Sequence, residues 1–403
     1  MISPFDGIGA GDDDVARVAE RRRGVKWHRT PGALAAWVAD MDIPPAGIIR
    51  QRLHELIGRG DVGYPQWAAA HSGSPARDAF VAWASQRWGW SIDDPHDLVE
   101  LCDVVQGIQM SLWLCTQPGD GVVVHTPAYP PMLAAIEAVG ARRIDLPARW
   151  IEPGAWTFDL DELECRLAET PARVLLLCHP HNPTGRVFPV EELRRLADLA
   201  ERHDLLIVSD EIHADLTYGQ RRHVPIASLG PEVAARTITL HSPSKAFNLA
   251  GLRYAIAHVG PARVRERLRA LPNHLLGAVN LAGAVAATAA WTEAGAATWL
   301  DEVVAHLDRQ RHLLADLLTE HLPMVRTALP EATYLAWLDA RALGWGADPS
   351  ERWRHPPPGL DAVDLSPGTD FGPGGVGFVR LNFATSAALL ERIVMAMAAH
   401  HTG

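Results

Sequence analysis

Short apolar runs alternate with amphipathic stretches between about residues 100 and 260. Five runs of four to six residues predict buried strands, namely Gly121–His125, Arg173–Cys178, Leu205–Ser209, Thr237–Leu240 and Tyr254–Val259. Between two of these runs, residues 189–203 carry apolar side chains at helical spacing, with acidic residues near the start and basic residues later. This alternation of strands and helices indicates an α/β domain with a mostly parallel sheet.

The pattern changes after about residue 290. It predicts a long amphipathic helix near Trp299–Leu318 and a last helix near Ala387–Ala399. Two short apolar strands, Tyr334–Leu338 and Phe378–Asn382, lie between these helices in the sequence. The stretch 351–375 is rich in Pro and Gly and is predicted to be loop.

These patterns divide the chain into three parts. We expect a large α/β domain over residues 46–289 and a smaller α+β domain over residues 290–403. An N-terminal segment, residues 1–45, is predicted to pack with the smaller domain. The length of 403 residues is consistent with two domains.

The composition excludes several classes of protein. Hydrophobic residues make up 48% of the chain and charged residues 21%, which excludes a disordered protein. The formal net charge is −11, and we expect no nucleic-acid partner because such proteins normally present a basic face. The four Cys lie far apart and form no C-x-x-C pair, which predicts a reducing, cytoplasmic location.

No segment has the pattern of a membrane span. The N-terminus MISPFDGIGAGDDD lacks the apolar core of a signal peptide. The least polar long stretch, Leu275–Trp291, contains Asn280 and is short for a bilayer, so a buried helix is predicted there. The 19 His show no metal-ligand spacing, and we expect no metal site.

Polar clusters follow four of the predicted elements, where ligand sites of open α/β sheets form. Lys245 lies in SPSKAFN, and burial there would lower its pKa and make its amine a nucleophile and a base. A surface-loop lysine is the alternative. Asp210 directly follows the strand LLIVS, where it would either meet a cationic ligand group or cap a helix.

The remaining clusters supply an amide, a ring and backbone donors. Asn182 lies in HPHNPTG, a turn that either presents its amide to a ligand or is only a turn. Tyr129 in TPAYPP places an aromatic ring after a strand. Gly107 in VVQGIQ leads into a predicted helix, and backbone N–H groups of such a turn bind anions. Together, these groups are what pyridoxal phosphate requires of a protein.

Several motifs carry a resemblance to a known family. The segments HPHNPTG, SDEIHADL and SPSKAFNLAGLR resemble fold-type I pyridoxal phosphate enzymes of the aminotransferase class I/II superfamily. WVADMDIPP, GYP at 63–65, TPAYPP, YLAWLD and GFVRLN are similar to its MalY/PatB branch of cystathionine β-lyases. The resemblance implies a large domain with a mostly parallel seven-stranded sheet flanked by helices, plus a smaller α+β domain.

The resemblance also implies roles around the cofactor ring. Lys245 would bind the cofactor covalently and act as the catalytic base. Asp210 would pair with the pyridine nitrogen, and Asn182 would donate a hydrogen bond to the ring hydroxyl. Tyr129 would stack on the ring and belong to the catalytic groups. His213 would lie near the cofactor, with a purely structural role as the alternative.

A second set of residues is implied for the cofactor phosphate. Gly107, Ile108 and Gln109 would hold the phosphate through their backbone, together with Ser242 and Arg253.

Two further residues are implied at the edges of the site. Tyr64 would reach the phosphate from a neighbouring subunit, which predicts a homodimer with a shared active site. Arg380 would bind the substrate α-carboxylate as a bidentate fork, beside Asn182.

The resemblance implies a carbon–sulfur β-lyase that converts cystathionine or cysteine S-conjugates to pyruvate, ammonia and a thiol. An aminotransferase acting on an α-amino acid and a 2-oxo acid is the alternative, because Arg253 is typical of aminotransferases. A second alternative is a pyridoxal phosphate-binding regulator that acts through a partner protein.

Overall fold

The structure is a computed structural model that describes residues 18, 20, 23–67, 73–272 and 275–402. Within these residues the chain forms a large sheet, a four-stranded sheet and a two-stranded pair, with helices packed around them. The first 17 residues of the predicted N-terminal segment lie outside the described residues.

Eight strands form the large sheet of the described chain. In chain order they are β2 (Leu98–Leu101), β3 (Gly121–Thr126), β4 (Arg142–Ile151), β5 (Ala155–Phe158), β6 (Val174–Cys178), β7 (Leu206–Asp210), β8 (Thr237–His241) and β9 (Ala255–Val259). Their spatial order is β2-β9-β8-β7-β6-β3-β4-β5. Strands β8, β7, β6, β3 and β4 run parallel, and β9 is antiparallel to both of its neighbours. The mostly parallel sheet is therefore confirmed.

The eighth strand, β5, adds to the predicted seven. It pairs antiparallel with the end of β4 at the edge of the sheet, and both strands are only partly buried there. Their sequences contain Arg, Asp and Trp rather than a continuous apolar run, so the apolar pattern did not reveal them. An edge hairpin needs only one buried face, which explains the mixed sequence.

Alternate side chains of the central strands enter two separate cores. Val122 and Val124 of β3 pack on one face in a cluster that includes Ile108, whereas Val123 packs on the other face in a cluster that includes Leu193. Both faces are thus covered, as a parallel sheet requires.

Helices cover the two faces and form much of the remaining structure. They are α1 (Gly47–Arg59), α2 (Pro75–Trp88), α3 (Val104–Cys115), α4 (Pro130–Ala138), α5 (Leu160–Glu169), α6 (Val190–Arg202), α7 (Pro231–Ala234), α8 (Ala262–Arg269), α9 (Leu281–Thr292), α10 (Ala294–His321), α11 (Ser350–Arg354) and α12 (Ala387–Thr402). None of the helices in the described ranges combines the length and the apolarity needed to cross a bilayer.

A four-stranded antiparallel sheet lies in the C-terminal part of the chain. Its order is β10-β11-β14-β13, formed by β10 (Arg326–Thr327), β11 (Leu335–Asp339), β13 (Ser366–Pro367) and β14 (Phe378–Asn382). Arg380 lies opposite Trp337 in the β11–β14 pair, so the centre of this sheet fixes its backbone. The predicted loop 351–375 is mostly irregular but contains short elements of its own.

The N-terminal part of the described chain joins this smaller sheet region. Strand β1 (Leu34–Ala35) pairs in parallel with β12 (Val363–Asp364). The residues that follow, 36–43, form an extended segment that we call the strap. Asn382 Nδ2 donates to the carbonyls of Val38 and Asp40, both at 2.7 Å, which fixes the strap against β14.

Close packing of α3 on the large sheet depends on Gly107. A Cβ atom at this position would lie 2.7 Å from Leu240 Cδ2 and 3.1 Å from Leu101 Cδ1. Its absence therefore allows the helix to approach strands β2 and β8 directly. By contrast, a Cβ atom at Gly58 in α1 would meet nothing within 4 Å.

We predict that Gly107→Ala lowers the free energy of unfolding by about 1–3 kcal/mol, because the added methyl group overpacks the contact between α3 and the sheet. Gly58→Ala is the matched control and should leave the stability unchanged or raise it by up to about 1 kcal/mol. Urea denaturation measures both changes. Equal effects at the two positions would contradict the packing role of Gly107.

Candidate active site

A cavity of about 330 Å³ lies where strands β6, β7 and β8 end. Cys178 and Asp210 are the last residues of β6 and β7, and Ser242 follows β8 directly. The strap and strand β14 complete the walls. The lining residues are Val38, Ala39, Cys102, Asp103, Val104, Val105, Tyr129, Cys178, Asn182, Asp210, Ile212, His213, Ser242, Ser244, Lys245, Ala250, Arg253, Tyr254 and Arg380.

Lys245 lines this cavity and is not a surface-loop lysine. Its Nζ donates to the carbonyl of Ala39 in the strap at 2.7 Å. The pKa of Lys245 is lowered to about 8, mainly by burial and in part by Arg380, although Asp40 and Asp210 act in the opposite direction. A sizeable fraction of the amine is therefore neutral near physiological pH, as a nucleophile or base requires.

Asp210 ends strand β7 with its carboxylate in the same cavity. Its Oδ1 accepts the N–H of Ile212 at 3.1 Å within a turn, so it does not cap a helix. Burial raises its pKa to about 7, and neighbouring Glu211 raises it as well, although Lys245 lowers it. A cationic ligand group would stabilise the ionised carboxylate here.

Arg380 is held from three sides. Its Nη1 donates to Asn182 Oδ1 at 3.1 Å, and its Nη2 donates to the carbonyl of Trp37 at 3.0 Å and to Ser366 Oγ at 3.3 Å. Its Nε has no hydrogen-bond partner, although the side chain is buried. Burial lowers the pKa of Arg380 to about 10, so it stays cationic at neutral pH. It is thus a fixed, incompletely satisfied cation beside Asn182.

Tyr129 and His213 also line the cavity. Burial raises the pKa of the Tyr129 phenol, so it is protonated at neutral pH. Burial lowers the pKa of His213 to about 3, with Lys245 and Arg380 acting in the same direction. His213 is therefore neutral, and its Nδ1 has no partner.

Ser242 and Arg253 lie at another end of the cavity. Ser242 Oγ donates to the carbonyl of Tyr254 at 2.6 Å and accepts the N–H of Ser244 at 3.1 Å. Arg253 is 61% exposed and forms an ion pair with Asp103 at the start of α3.

Gly107, Ile108 and Gln109, whose backbone is predicted to hold the phosphate, lie inside helix α3 rather than at its start. None of these three residues lines the cavity. The N–H of Gly107 donates to the carbonyl of Asp103 at 3.2 Å, because helix α3 already begins at Val104. Gly107 serves the packing contact described above, and Gln109 is exposed.

The first turn of α3 lies at the cavity instead, and sequence reasoning missed it. Asp103, Val104 and Val105 line the cavity. Asp103 caps the helix, because its Oδ1 accepts the N–H of Gln106 at 2.7 Å. The pattern of an Asp followed three residues later by Gln is typical of a helix start and would have located it.

Two further outcomes concern the boundary of the site. Tyr64 is fully exposed and lies away from the cavity of its own chain. Ala39 was also missed, since a backbone acceptor leaves no mark in the sequence.

Within the described residues, no group of three or more His, Cys, Asp or Glu side chains is placed to hold a metal ion.

Comparison with known proteins places this geometry in a family. A profile of the family "Aminotransferase class I and II" matches residues 94–397. The chain belongs to this family. The predicted superfamily is thereby confirmed.

Individual relatives narrow the relationship. Cystathionine beta-lyase PatB from Bacillus subtilis (strain 168) is 35% identical over 375 residues, which cover 91% of this chain and 94% of that protein. Protein MalY from Escherichia coli (strain K12) is 32% identical over 370 residues, covering 90% of each. The predicted MalY/PatB branch is confirmed by these family members.

A solved structure supports the fold. Cystalysin from Treponema denticola, which contains a pyridoxal 5'-phosphate cofactor, is 26% identical, with a TM-score of 0.84 and coverage of 99% of each chain. The similarity over the full length confirms the predicted fold-type I architecture.

We predict that Lys245→Met stabilises the cofactor-free chain at neutral pH. The pKa of Lys245 falls from its ordinary value of 10.5 to about 8 on folding. Between pH 8 and 10.5, the lysine therefore carries a proton in the unfolded chain but not in the folded one. Below pH 8 the native lysine therefore destabilises the fold by about 1–3 kcal/mol. The gain from the substitution should fade as the pH rises from 8 to 10.5, as measured by urea denaturation.

Lys26 is the only other lysine of the chain and provides the control. It is buried and forms an ion pair with Asp42 at 2.8 Å. Lys26→Met should destabilise the fold, because it removes one partner of a buried pair. A loss of stability with Lys245→Met at pH 7 would contradict the assignment of Lys245 as a desolvated amine.

Proposed function

We propose that the protein is a pyridoxal phosphate-dependent carbon–sulfur β-lyase. It acts on cystathionine or cysteine S-conjugates and, with one water, yields pyruvate, ammonia and a thiol. The observation that carries the proposal is the convergence of Lys245, Asp210, Asn182 and Arg380 on one cavity. The name of the relative PatB, cystathionine beta-lyase, supports the choice of reaction.

The residues around the cavity fit the cofactor. Asp210 is a buried carboxylate with a raised pKa, and a cationic ring nitrogen would complete its environment. Lys245 would hold the aldehyde carbon, while Asn182 and Tyr129 would contact the ring. Ser242, Arg253 and the first turn of α3 would hold the phosphate. Bound there, pyridoxal phosphate supplies an electron sink for the charge left on the substrate α-carbon.

Arg380 orients the substrate. Its guanidinium is fixed by Asn182 and the strap, and its unpartnered Nε remains free to donate. A substrate α-carboxylate would satisfy this donor, and such charge-assisted bonds are strong. Lys245 lines the same cavity, so an amino acid held by Arg380 would share the site with this amine.

Lys245 moves the proton. Because its pKa is about 8, the neutral amine is available to take the proton from the substrate α-carbon. Positioned acid–base groups of this kind contribute about 10²–10⁴-fold to rate. Loss of the thiolate from the β-carbon and hydrolysis then complete the reaction. The ammonium form of Lys245 can return the proton to the leaving thiolate.

An aminotransferase is the second candidate, since Arg253 lines the cavity as it would in such an enzyme. Elimination and transamination use the same groups, and they differ in where Lys245 returns its proton. The experiment below therefore distinguishes the two reactions directly.

We predict that the purified protein releases pyruvate and a free thiol from L-cystathionine, and that Lys245→Ala abolishes both this turnover and the absorbance of the bound cofactor. Borohydride reduction of the loaded protein should fix the cofactor on Lys245. Peptide mapping can decide this cleanly, because Lys26 is the only competing lysine and lies buried in its ion pair.

Three results would overturn the lyase. Glutamate formed only with an amino acid and 2-oxoglutarate would establish the aminotransferase instead. Cofactor binding without turnover on any amino acid would favour the regulatory protein. Attachment of the cofactor to Lys26 would refute the active site itself.

A homodimer with a shared site is part of the proposal. Tyr64 is fully exposed, and Ile57 and Val62 near it are each 64% exposed, which is typical of a surface that another chain covers. In this arrangement, Tyr64 of one subunit completes the phosphate site of the other. A cytoplasmic location likewise stays a prediction from the cysteine pattern.

We predict that mixing Tyr64→Ala and Lys245→Ala chains restores lyase activity. In a hybrid dimer one site would combine an intact Lys245 with an intact Tyr64 from the other subunit, giving about a quarter of the wild-type sites after random exchange. Denaturation, mixing and refolding, followed by the pyruvate assay, measure this. Hybrids that are as inactive as the parents would place Tyr64 outside the partner's site.

A further inference from the structure

One end of the active-site cavity gathers groups that bind anions. Ser242, Ser244 and Arg253 line it together with the first turn of α3, whose Val104 and Val105 N–H groups have no partner within the helix. The same cavity is lined by Arg380 and His213. Both are more than nine-tenths buried, and each has a ring or guanidinium nitrogen without a partner. These features indicate that the cavity holds a ligand.

Arg253 is the cationic side chain available to bind an anion at this end of the cavity. Three cationic residues line the cavity in the described chain. Lys245 donates a hydrogen bond to the strap, and Arg380 donates hydrogen bonds to Asn182 and to the strap. Arg253 is left at the end formed by α3.

The carboxylate of Asp103 already interacts with the groups at this end of the cavity that would attract an anion. Its Oδ1 accepts the N–H of Gln106 at 2.7 Å, which removes one of the first-turn donors of α3. Its Oδ2 forms the ion pair with Arg253. A negative charge thus lies among the groups that would receive a phosphate, and it offsets both the helix dipole and the arginine.

Two opposite effects of this carboxylate can be compared. It could help by orienting Arg253, but Arg253 is 61% exposed, and ion pairs of exposed side chains contribute little. It opposes a phosphate that carries about −1.5 to −2 charges. Asp103 is itself only 24% exposed, so solvent screens this repulsion incompletely. The repulsion is therefore the larger effect.

We propose that Asp103 sets the affinity for the cofactor, because its carboxylate competes with the cofactor phosphate for Arg253 and the start of α3. The inference rests on the proposed function, since it takes pyridoxal phosphate as the ligand. Its consequence is that the protein holds the cofactor mainly through Lys245 and its ring contacts, and only weakly through the phosphate.

The test uses Asp103→Asn in the full chain. Asn is as good a helix cap as Asp, so α3 keeps its start while the charge is lost. Asp159 provides a matched control, because it also caps a helix, α5, and also pairs with an arginine, Arg149, at 2.7 Å, but does not line the cavity. Thermal melts verify that both variants are folded.

The measurement is the dissociation constant for pyridoxal phosphate and for pyridoxal, followed by absorbance and protein fluorescence. Asp103→Asn should bind pyridoxal phosphate at least about tenfold more tightly than the wild type, and pyridoxal about equally. Asp159→Asn should match the wild type with both ligands. The difference should shrink as salt is added, which a purely structural effect would not do.

A double-mutant cycle with Arg253→Gln supplies a second measurement. If Asp103 offsets Arg253, removal of the arginine should weaken pyridoxal phosphate binding little in the wild type and several-fold more in the Asp103→Asn background. Equal losses in both backgrounds would refute the competition.

Unchanged or weaker binding of pyridoxal phosphate by Asp103→Asn would also overturn the proposal, since Asp103 would then serve only to cap α3 or to place Arg253. These outcomes do not bear on the proposed lyase activity, because the test measures cofactor binding and requires no turnover. A wild-type chain that binds neither ligand would instead refute the proposed cofactor.

Discussion

Burial of charge at the end of the large sheet is the constraint on which the site depends. Burial shifts the pKa of Lys245 to about 8 and that of Asp210 to about 7, so both lie close to neutrality. Each group keeps one fixed protein partner, the Ala39 carbonyl for the amine and the Ile212 N–H for the carboxylate. Incomplete compensation of this kind suits groups that must exchange protons or bind a charged ligand.

The strap makes the position of Lys245 depend on the smaller sheet region. Ala39 O accepts from Lys245 Nζ and also from the buried Tyr334 hydroxyl at 3.0 Å. Asn382 of β14 bonds the carbonyls on either side of Ala39. The amine of Lys245 is thus positioned by residues more than 80 positions away in sequence, which gives the C-terminal part a role beyond its proposed binding of the substrate carboxylate.

The sequence predicted those site residues that follow fully buried strands. Lys245, Asp210 and Asn182 come after apolar runs that are buried on both faces, so the strand ends could be located within one or two residues. The residues at the start of α3 were located less well, because their position depends on where the helix begins, which is at Val104. Gly107 was interpreted as a turn glycine, whereas tertiary packing against Leu240 explains it.

Other features could not be predicted because they depend on contacts distant in sequence. The Ala39 carbonyl is a backbone group, and its importance arises from the course of the strap. The role of Tyr64 requires a second chain, and neither the sequence nor a single subunit tests it. Strand β5 has a mixed sequence because it lies at an edge.

The position of Asp103 also bears on the choice between the two reactions. An aminotransferase would have to retain pyridoxal phosphate without a covalent link to Lys245 during part of its reaction, so it would need a strong phosphate anchor. A lyase would regain that link in every turnover and would tolerate a weaker anchor. Arg253 by itself resembles an aminotransferase anchor, but its pairing with Asp103 reduces the charge it offers to a phosphate. Taken as a pair, the two residues therefore favour the lyase.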